Sequence, residues 1–442
     1  MRIKQISVSK LFGIFDYVIP LNKEDRVTII HGLNGFGKTT LLRMINGLFN
    51  SLYSELRVIH FNECRIDFDD GIKIIINKSL NKEKESNSKN KLSFSLVKSD
   101  GDIQRFSPDL GNKEQLRISI NMVENFIPNL ERVAGRNWIY SPTNEVLSLE
   151  DIVERFGELL PIESSSKKEP TWLKELKESI NIRFIESQRL FKLSDNRQSQ
   201  RYEKRPSMLP SVARYAKELA EEIQAKLTEY GQLAQSLDRT FPVRVVQQKF
   251  SSQLTDEKLR HQLNQLEEKR SQLINAGLLN KDEDSAFQVQ EEIDESTKKV
   301  LSVYIEDVDK KLSIFNDIAA KIDLFKRIIN DKFSHKQIAI SKDKGFTFTT
   351  SAGNSLSPTD LSSGEQHELV LLYELLFKVK PNSLILIDEP ELSLHVEWQV
   401  QFIKDLQEIT KLANIDILMA THSPDIIHDR WDLTVELKGE AQ

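Results

Sequence analysis

Apolar and polar positions change period several times along the 442-residue chain, and each change marks a new element. Near the N-terminus Ile3, Ile6 and Val8, then Phe15, Tyr17 and Ile19, follow the two-residue repeat of strands with one buried face. The continuous apolar run from Val27 to Ile30 predicts a strand buried on both faces. Leu41, Leu42, Ile45, Leu48 and Phe49 then step at helical spacing. Runs from Leu56 to Phe61, Ile66 to Phe68, Ile72 to Ile76 and Leu92 to Val97 predict strands, joined by turns such as Asp70-Gly71 and Asp100-Gly101. The charged stretch 81–91 reads as a solvated hairpin tip. From Glu114 to about Leu160 the period predicts helix, residues 163–170 read as a linker, and the apolar stretch from Ile182 predicts a strand that ends ahead of Gln188.

Between Ser211 and Asn330 the chain reads as amphipathic helix. Val212, Tyr215, Leu219, Ile223, Leu227, Tyr230 and Leu237 keep one stripe, and Leu259, Leu263, Leu266 and Leu273 form a short heptad-like seam. A third long helix is predicted from Val300 through Tyr304, Val308, Leu312, Phe315, Ile322 and Phe325 to Ile329. Breaks near Phe241-Pro242 and at Gly277 would fold these helices into an antiparallel arm. Strand spacing returns at Ile338, Ile340, Phe346 and Phe348, and Leu384–Ile387 and Ile415–Met419 are two more buried runs. The class is α/β: a head of mixed sheet and helices, interrupted by a helical insertion. The expected divisions are 1–190, 191–334 and 335–442.

The chemistry sits at the junctions of these elements. Between the strand ending at Ile30 and the following helix lies Gly32-Leu-Asn34-Gly35-Phe36-Gly37-Lys38-Thr39, the GxxxxGK[ST] pattern of a phosphate-binding loop. Glycines at 32, 35 and 37 let backbone amides wrap a polyphosphate at a helix N-terminus, whose unpaired amides and dipole favour anions. Asn34, Gly35, Phe36, Gly37 and Thr40 are candidates to line the nucleotide. Lys38 supplies charge for the β- and γ-phosphates, and the Thr39 hydroxyl can reach Mg²⁺. The run Leu384–Ile387 ends in Asp388-Glu389-Pro390, two carboxylates at a buried strand end that need a cation. Asp388 can hold Mg²⁺ and Glu389 can act as base toward the attacking water. Ile415–Met419 leads to Ala420-Thr421-His422-Ser423-Pro424, where His422 can donate to the γ-phosphate. Leu361-Ser362-Ser363-Gly364-Glu365 opens another helix and offers a hydroxyl and free amides, a second anion site. Two copies facing each other would complete each other's sites. Phe12, Phe15 and Tyr17 are possible adenine platforms, with Phe12 kept as the candidate.

Composition narrows the partners. Net charge is −6 with a pI of about 5.9, so no global basic field draws the chain to nucleic acid. A local exception is Arg189–Arg205, with six basic and two acidic side chains, read as a solvated loop or a contact for nucleic acid or an acidic partner. The single Cys64 excludes an internal disulfide. With no secretory h-region and no run of 18 apolar residues, the expected location is cytoplasmic, with no membrane partner.

Taken in order, GLNGFGKT, Gln188 after a strand, LSSGE, LILIDEP, ELSLH and ATHSP resemble the P-loop, Q-loop, signature, Walker B, D-loop and switch histidine of ABC-type ATPase heads. The chain is similar to the branch shared by the SMC, RecF and OLD families, filed as AAA15/AAA21 ATPases. It also resembles the ATPase subunits of bacterial anti-phage systems such as PARIS and Septu. The resemblance spans about 1–190 and 335–430. It implies ATP and Mg²⁺ as cofactors, Gln188 and Asp388 at the metal, and Ser362, Ser363, Gly364 and Glu365 acting across a head-to-head dimer. It further implies a defence sensor and scaffold that holds a separate nuclease or toxin until a phage trigger arrives. Ser363 replaces the glycine usual in transporters, and Val396 the proline common in relatives. Too few residues follow His422 for the appended nuclease domain of OLD proteins, so cutting is expected of another polypeptide. The rival readings are a RecF- or Rad50-like DNA clamp and a nucleotide-gated scaffold with little hydrolysis.

Overall fold

The computed structural model describes residues 1–79, 91–108, 127, 130–134, 137–140, 145–149, 152, 156, 169–185, 211–247, 255–280, 293–392 and 394–439. By contacts the chain forms two compact units. The first comprises Met1–Gln188, Asn196–Pro206 and Val379–Gln442, and the second Arg189–Asp195 and Ser207–Lys378. Residues 335–378, with the signature sequence, therefore group with the helices.

In the first unit the N-terminal alternation gives β1 (Ile3–Leu11) and β2 (Phe15–Pro20), whose apolar positions turn to one buried face. β3 (Val27–His31) follows, buried over its first four residues, then α1 (Lys38–Phe49) and α2 (Tyr53–Val58). The expected strand from Leu56 to Phe61 is thus helix over its first half. The place beside β1 is taken by β4 (Glu63–Phe68), and Val58, 83% exposed, breaks the alternation a strand would need. β5 (Lys73–Ser79), β6 (Lys91–Val97) and β7 (Ile103–Phe106) complete an antiparallel sheet in the order β2-β1-β4-β5-β6-β7.

Within the region expected to be helical, the described residues form an antiparallel sheet instead. It comprises β8 (Leu130–Ala134), β9 (Asn137–Tyr140) and β10 (Glu145–Ser148). Val, Trp, Ile and Tyr suit a pleated surface, and pairing overrides the local helical period. Trp138 is fully buried with Leu130, Leu147 and Ile152. Residues 114–126 lie outside the described residues, as do 80–90 of the hairpin tip, 161–168 of the linker, Gln188 and Arg189–Arg205. α3 (Thr171–Ser179) and β11 (Ile182–Ile185) end this part.

The second unit begins with α4 (Ser211–Gln247), which passes through Pro242 instead of breaking there. Proline removes a helical donor. Nearby, the Leu237 carbonyl accepts from Arg244 Nη2 at 2.8 Å and Thr240 Oγ1 at 3.1 Å, and the Arg244 guanidinium pairs with Asp307 of the neighbouring helix segment, so side chains on both sides of Pro242 tie the helix in place. α5 (Asp256–Asn275) buries the expected leucine seam and stops before Gly277. The expected third helix is two, α6 (Glu295–Ser313) and α7 (Asn316–Lys332). The turn between them buries Phe315, whose ring lies 5.6 Å from that of Tyr230 on α4. β12 (Lys336–Ser341), β13 (Gly345–Thr350) and β14 (Ser355–Leu356) make a small antiparallel sheet packed on α4, and α8 (Ser363–Phe377) is buried nearly all round.

Back in the first unit, β15 (Leu384–Asp388), α9 (Val396–Ala413), β16 (Asp416–Ala420), α10 (Pro424–Ile427) and β17 (Thr434–Glu436) complete a parallel sheet in the order β11-β15-β16-β3-β17. α1 shares one core with β1, β2 and β4 to β6 and with buried residues of β11, β15 and β16. Full burial of Leu41 or Leu42 there contributes about 2 kcal/mol each. That core fixes the helix whose first turn carries Lys38 and Thr39. Among the described residues no helix is long and apolar enough to cross a membrane.

Candidate functional site

β3 delivers the chain to the loop at His31. Gly32 has φ 152° and Gly37 φ 84°. A Cβ on Gly32 would stand 2.7 Å from the Leu437 carbonyl oxygen, because the segment after β17 runs alongside and Leu437 N–H donates to His31 O at 2.8 Å. The first glycine is thus required by a neighbouring strand extension. Gly37 is the N-cap of α1, and a Cβ there would meet Leu11 Cδ2 at 2.8 Å and Phe12 at 3.1 Å. Asn34 and Gly35 are exposed and Phe36 is half-buried, and the first-turn amides of Lys38, Thr39 and Thr40 have no intrahelical acceptors.

Lys38, 4% exposed, folds back over this loop, and its Nζ donates to the carbonyls of Gly32 at 2.8 Å and Leu33 at 3.1 Å. Burial lowers its pKa, against the opposing pull of Glu389 and Asp388. Thr39 Oγ1 donates to Asp388 Oδ1 at 3.0 Å, joining the loop to the end of β15. Burial pushes the Asp388 carboxyl up to about 6; the Thr39 hydrogen bond opposes the rise and the Glu389 charge adds to it. Glu389 has φ 43°, the left-handed region, with its N–H donating to Ala420 O at 2.9 Å. Glu389 Oε1 lies 3.6 Å from His422 Nε2. Two strand ends of the parallel sheet thus bring Asp388, Glu389 and His422 to the loop's end of the sheet.

Two contributors, Glu391 and Gln399, were not singled out in the sequence, and a third, Tyr17, acts otherwise than as the ring platform considered there. Tyr17 donates from its hydroxyl to Phe36 O at 3.0 Å, bracing the loop from β2, and burial pushes its pKa up to about 12. Glu391 accepts from His422 N–H at 2.6 Å, and Gln399 Oε1 accepts from Ser423 Oγ at 2.7 Å, so both hold the segment after β16. Glu391, a carboxylate two residues past Glu389, was a visible signal. Of the three aromatic candidates, Phe15 and Tyr17 are buried, with the Phe15 ring 5.3 Å from Phe36, whereas Phe12 is 42% exposed beside Gly37. A cavity of about 490 Å³ opens next to the loop, lined among others by His31, Asn34, Phe36, His422 and Trp431.

In the second unit Ser362 is the N-cap of α8, and its capping box with Glu365 fixes the helix start. Ser362 and Ser363 are exposed, Gly364 half-buried and Glu365 buried. Gln188 lies outside the described residues.

A glycine loop opening a helix after the β3 strand of a parallel sheet, with paired acids closing β15 and a histidine after β16, defines a P-loop ATPase head. Residues 27–428 match the family described as "AAA domain, putative AbiEii toxin, Type IV TA system", and the chain belongs to that family. No curated protein matches it. Similar solved structures include an SmcHead bound to the C-winged helix domain of ScpA, at 10% identity over 97% of this chain and 91% of that one, TM-score 0.34. An Smc head domain with an extended coiled coil bound to the C-terminal domain of ScpA, derived from Pyrococcus furiosus, is similar at 12% identity over 96% and 91%, TM-score 0.33. The SMC head domain from Thermotoga maritima is similar at 12% identity over 97% and 91%, TM-score 0.32.

Proposed function

We propose that this chain binds Mg–ATP on the loop after β3 and hydrolyses it between two copies that face each other. The observation that carries this reading is the Thr39 Oγ1–Asp388 Oδ1 bond, which joins the glycine loop to the paired carboxylates from 349 residues away. Lys38, now held by two loop carbonyls, would exchange them for phosphate oxygens. The first-turn amides, with Asn34 and Gly35, would wrap the phosphates. Phe12, the open aromatic beside Gly37, is the proposed adenine platform.

Asp388 fits a divalent cation. Its half-buried carboxyl, raised to about 6, gains from a positive neighbour, and the Thr39 hydroxyl already touches it. Among the described residues no three His, Cys, Asp or Glu side chains cluster as a metal site. Mg²⁺ would therefore rely on Asp388, Thr39, phosphate oxygens and water, with Gln188 as a further ligand. When bound, it neutralises charge on the phosphate oxygens. Glu389 orients and deprotonates the attacking water, and His422 donates to the terminal phosphate. Ser362, Ser363 and Gly364 of one copy act on the nucleotide of the other, with Glu365 fixing their helix start.

The cellular role we infer is that of a cytoplasmic sensor and scaffold in anti-phage defence, controlling a separate nuclease or toxin subunit and answering to a phage protein. The toxin–antitoxin wording of the family description supports a role of this kind. The deciding experiment for the catalytic reading is Glu389→Gln. It should leave ATP affinity unchanged and cut turnover about a thousandfold, the scale for losing a general base; turnover within a few fold of the parent would remove Glu389 from that role.

A further inference from the structure

Ser362 is caught in a closed ring of hydrogen bonds within the second unit. Its backbone N–H and its hydroxyl both donate to Glu365 Oε2 at 2.8 Å, and Glu365 N–H donates back to Ser362 Oγ at 3.4 Å. A serine hydroxyl has one proton, and an ionised phosphate oxygen can only accept. While Glu365 holds that proton, Ser362 cannot donate it to a nucleotide. A third member joins the ring: Lys336, the first residue of β12, donates to Glu365 Oε1 at 2.7 Å and Oε2 at 2.8 Å.

Lys336 does not arrive alone. Four residues earlier, Lys332 at the end of α7 pairs with Glu368, and both side chains are buried. One short stretch of chain therefore sets two ammonium groups on two carboxylates of α8 that lie a turn apart. The inner pair is an anchor. The outer Lys336 side chain is 25% exposed, against the buried inner pair. Burial alone would raise the Glu365 carboxyl pKa, and Lys336 together with the Ser362 donors brings it below its ordinary value, so the carboxylate stays ionised.

How firmly a carboxylate holds a hydroxyl proton depends on what else shares its oxygens. We propose that Lys336 is a positioning residue for the signature serine: by sharing Glu365 it lets the Ser362 hydroxyl turn outward and donate to the terminal phosphate held by a second copy. This inference rests on the trans role of Ser362 proposed above. Without Lys336, Glu365 keeps the hydrogen bond from the Ser362 hydroxyl and sets an unbalanced negative charge where the triphosphate must dock.

The test compares Lys336→Met, Lys336→Met with Glu365→Gln, and Ser362→Ala in the full-length protein, by turnover at saturating ATP, ATP-driven dimerisation and ATP affinity at low protein concentration. Glutamine at the third helical position still closes the capping box but carries no charge. The expected result for Lys336→Met is a fall in kcat of about a hundredfold, the scale for one lost preorganised donor, with ATP affinity unmoved. The double variant should recover most of that loss, which a merely structural lysine would not permit. It leaves no charge unpaired at this ring, so it also serves if Lys336→Met alone does not fold, and it must then outpace Ser362→Ala. Parental kcat in Lys336→Met, or a double variant as slow as Ser362→Ala, overturns the positioning role while the trans reading stands. Parental kcat in Ser362→Ala removes the trans reading, and the positioning role falls with it.

Discussion

Asp388 is the residue where burial and charge conflict most openly. Its folded-state carboxyl titrates at about 6 against an ordinary 3.8. Between those values the folded protein keeps a proton that the unfolded chain has released, so raising the pH through this window destabilises the nucleotide-free fold. Melting temperatures measured from about pH 4 to pH 7 should therefore decline more for the parent than for Asp388→Asn; parallel curves would show that Asp388 is ionised throughout. The same proton competes with a cation, so Mg-dependent ATP affinity should weaken as pH falls through about 6. At this scale the sequence revealed positions but not partners. Lys38, Thr39, Asp388, Glu389 and His422 stood out because loop spacing and strand ends mark them. Glu391 and Gln399 did not, and Tyr17 did so only as an aromatic ring, because each bonds to a chain segment distant in sequence, two of them to backbone groups, and no local period encodes that. Gln188 was marked by its strand alone and lies outside the described residues.

At the scale of elements, reading by period succeeded where one face is buried throughout, as in β1, β2, α1 and the leucine seam of α5. It failed where competition decided. Leu56 could have begun a strand, but Glu63–Phe68 pairs with β1 in its place. Pro242 should have stopped α4, but the helix continues through it, with Arg244 just beyond bonded back to the Leu237 carbonyl and across to Asp307. The described part of 114–160 became a sheet around Trp138 because cross-strand partners outweigh local propensity. The contact between β13 and α4 allows a direct test. Gly345 has φ 68°, and a Cβ there would overlap the Ala216 carbonyl. Gly345→Ala should cost about 3 kcal/mol through overpacking and left-handed strain together, read as a lower denaturant midpoint. An unchanged midpoint would mean that the hairpin is not seated on α4.

For the whole molecule, one contact-defined unit carries the phosphate loop and is assembled from segments far apart in sequence, and the other carries the signature helix. The division at Lys378 could not be read from the sequence, because strand spacing at 338–348 looks the same whichever unit receives it. Expressed with its genomic neighbours and purified by a tag, the chain should bring down a stoichiometric nuclease-like subunit, and ATP should raise the assembly mass by pairing heads. A lone protein that dimerises with ATP and holds duplex DNA in a salt-sensitive manner would favour the clamp reading instead. Glu389 adds a consequence for how such a chain drifts under mutation. A glutamate at φ 43° carries about 1–2 kcal/mol of backbone cost that glycine would relieve and asparagine would lessen. Random substitution filtered only for a well-folded product would enrich the inert variants at this position. A population of these chains keeps its acid here only while hydrolysis itself is under selection.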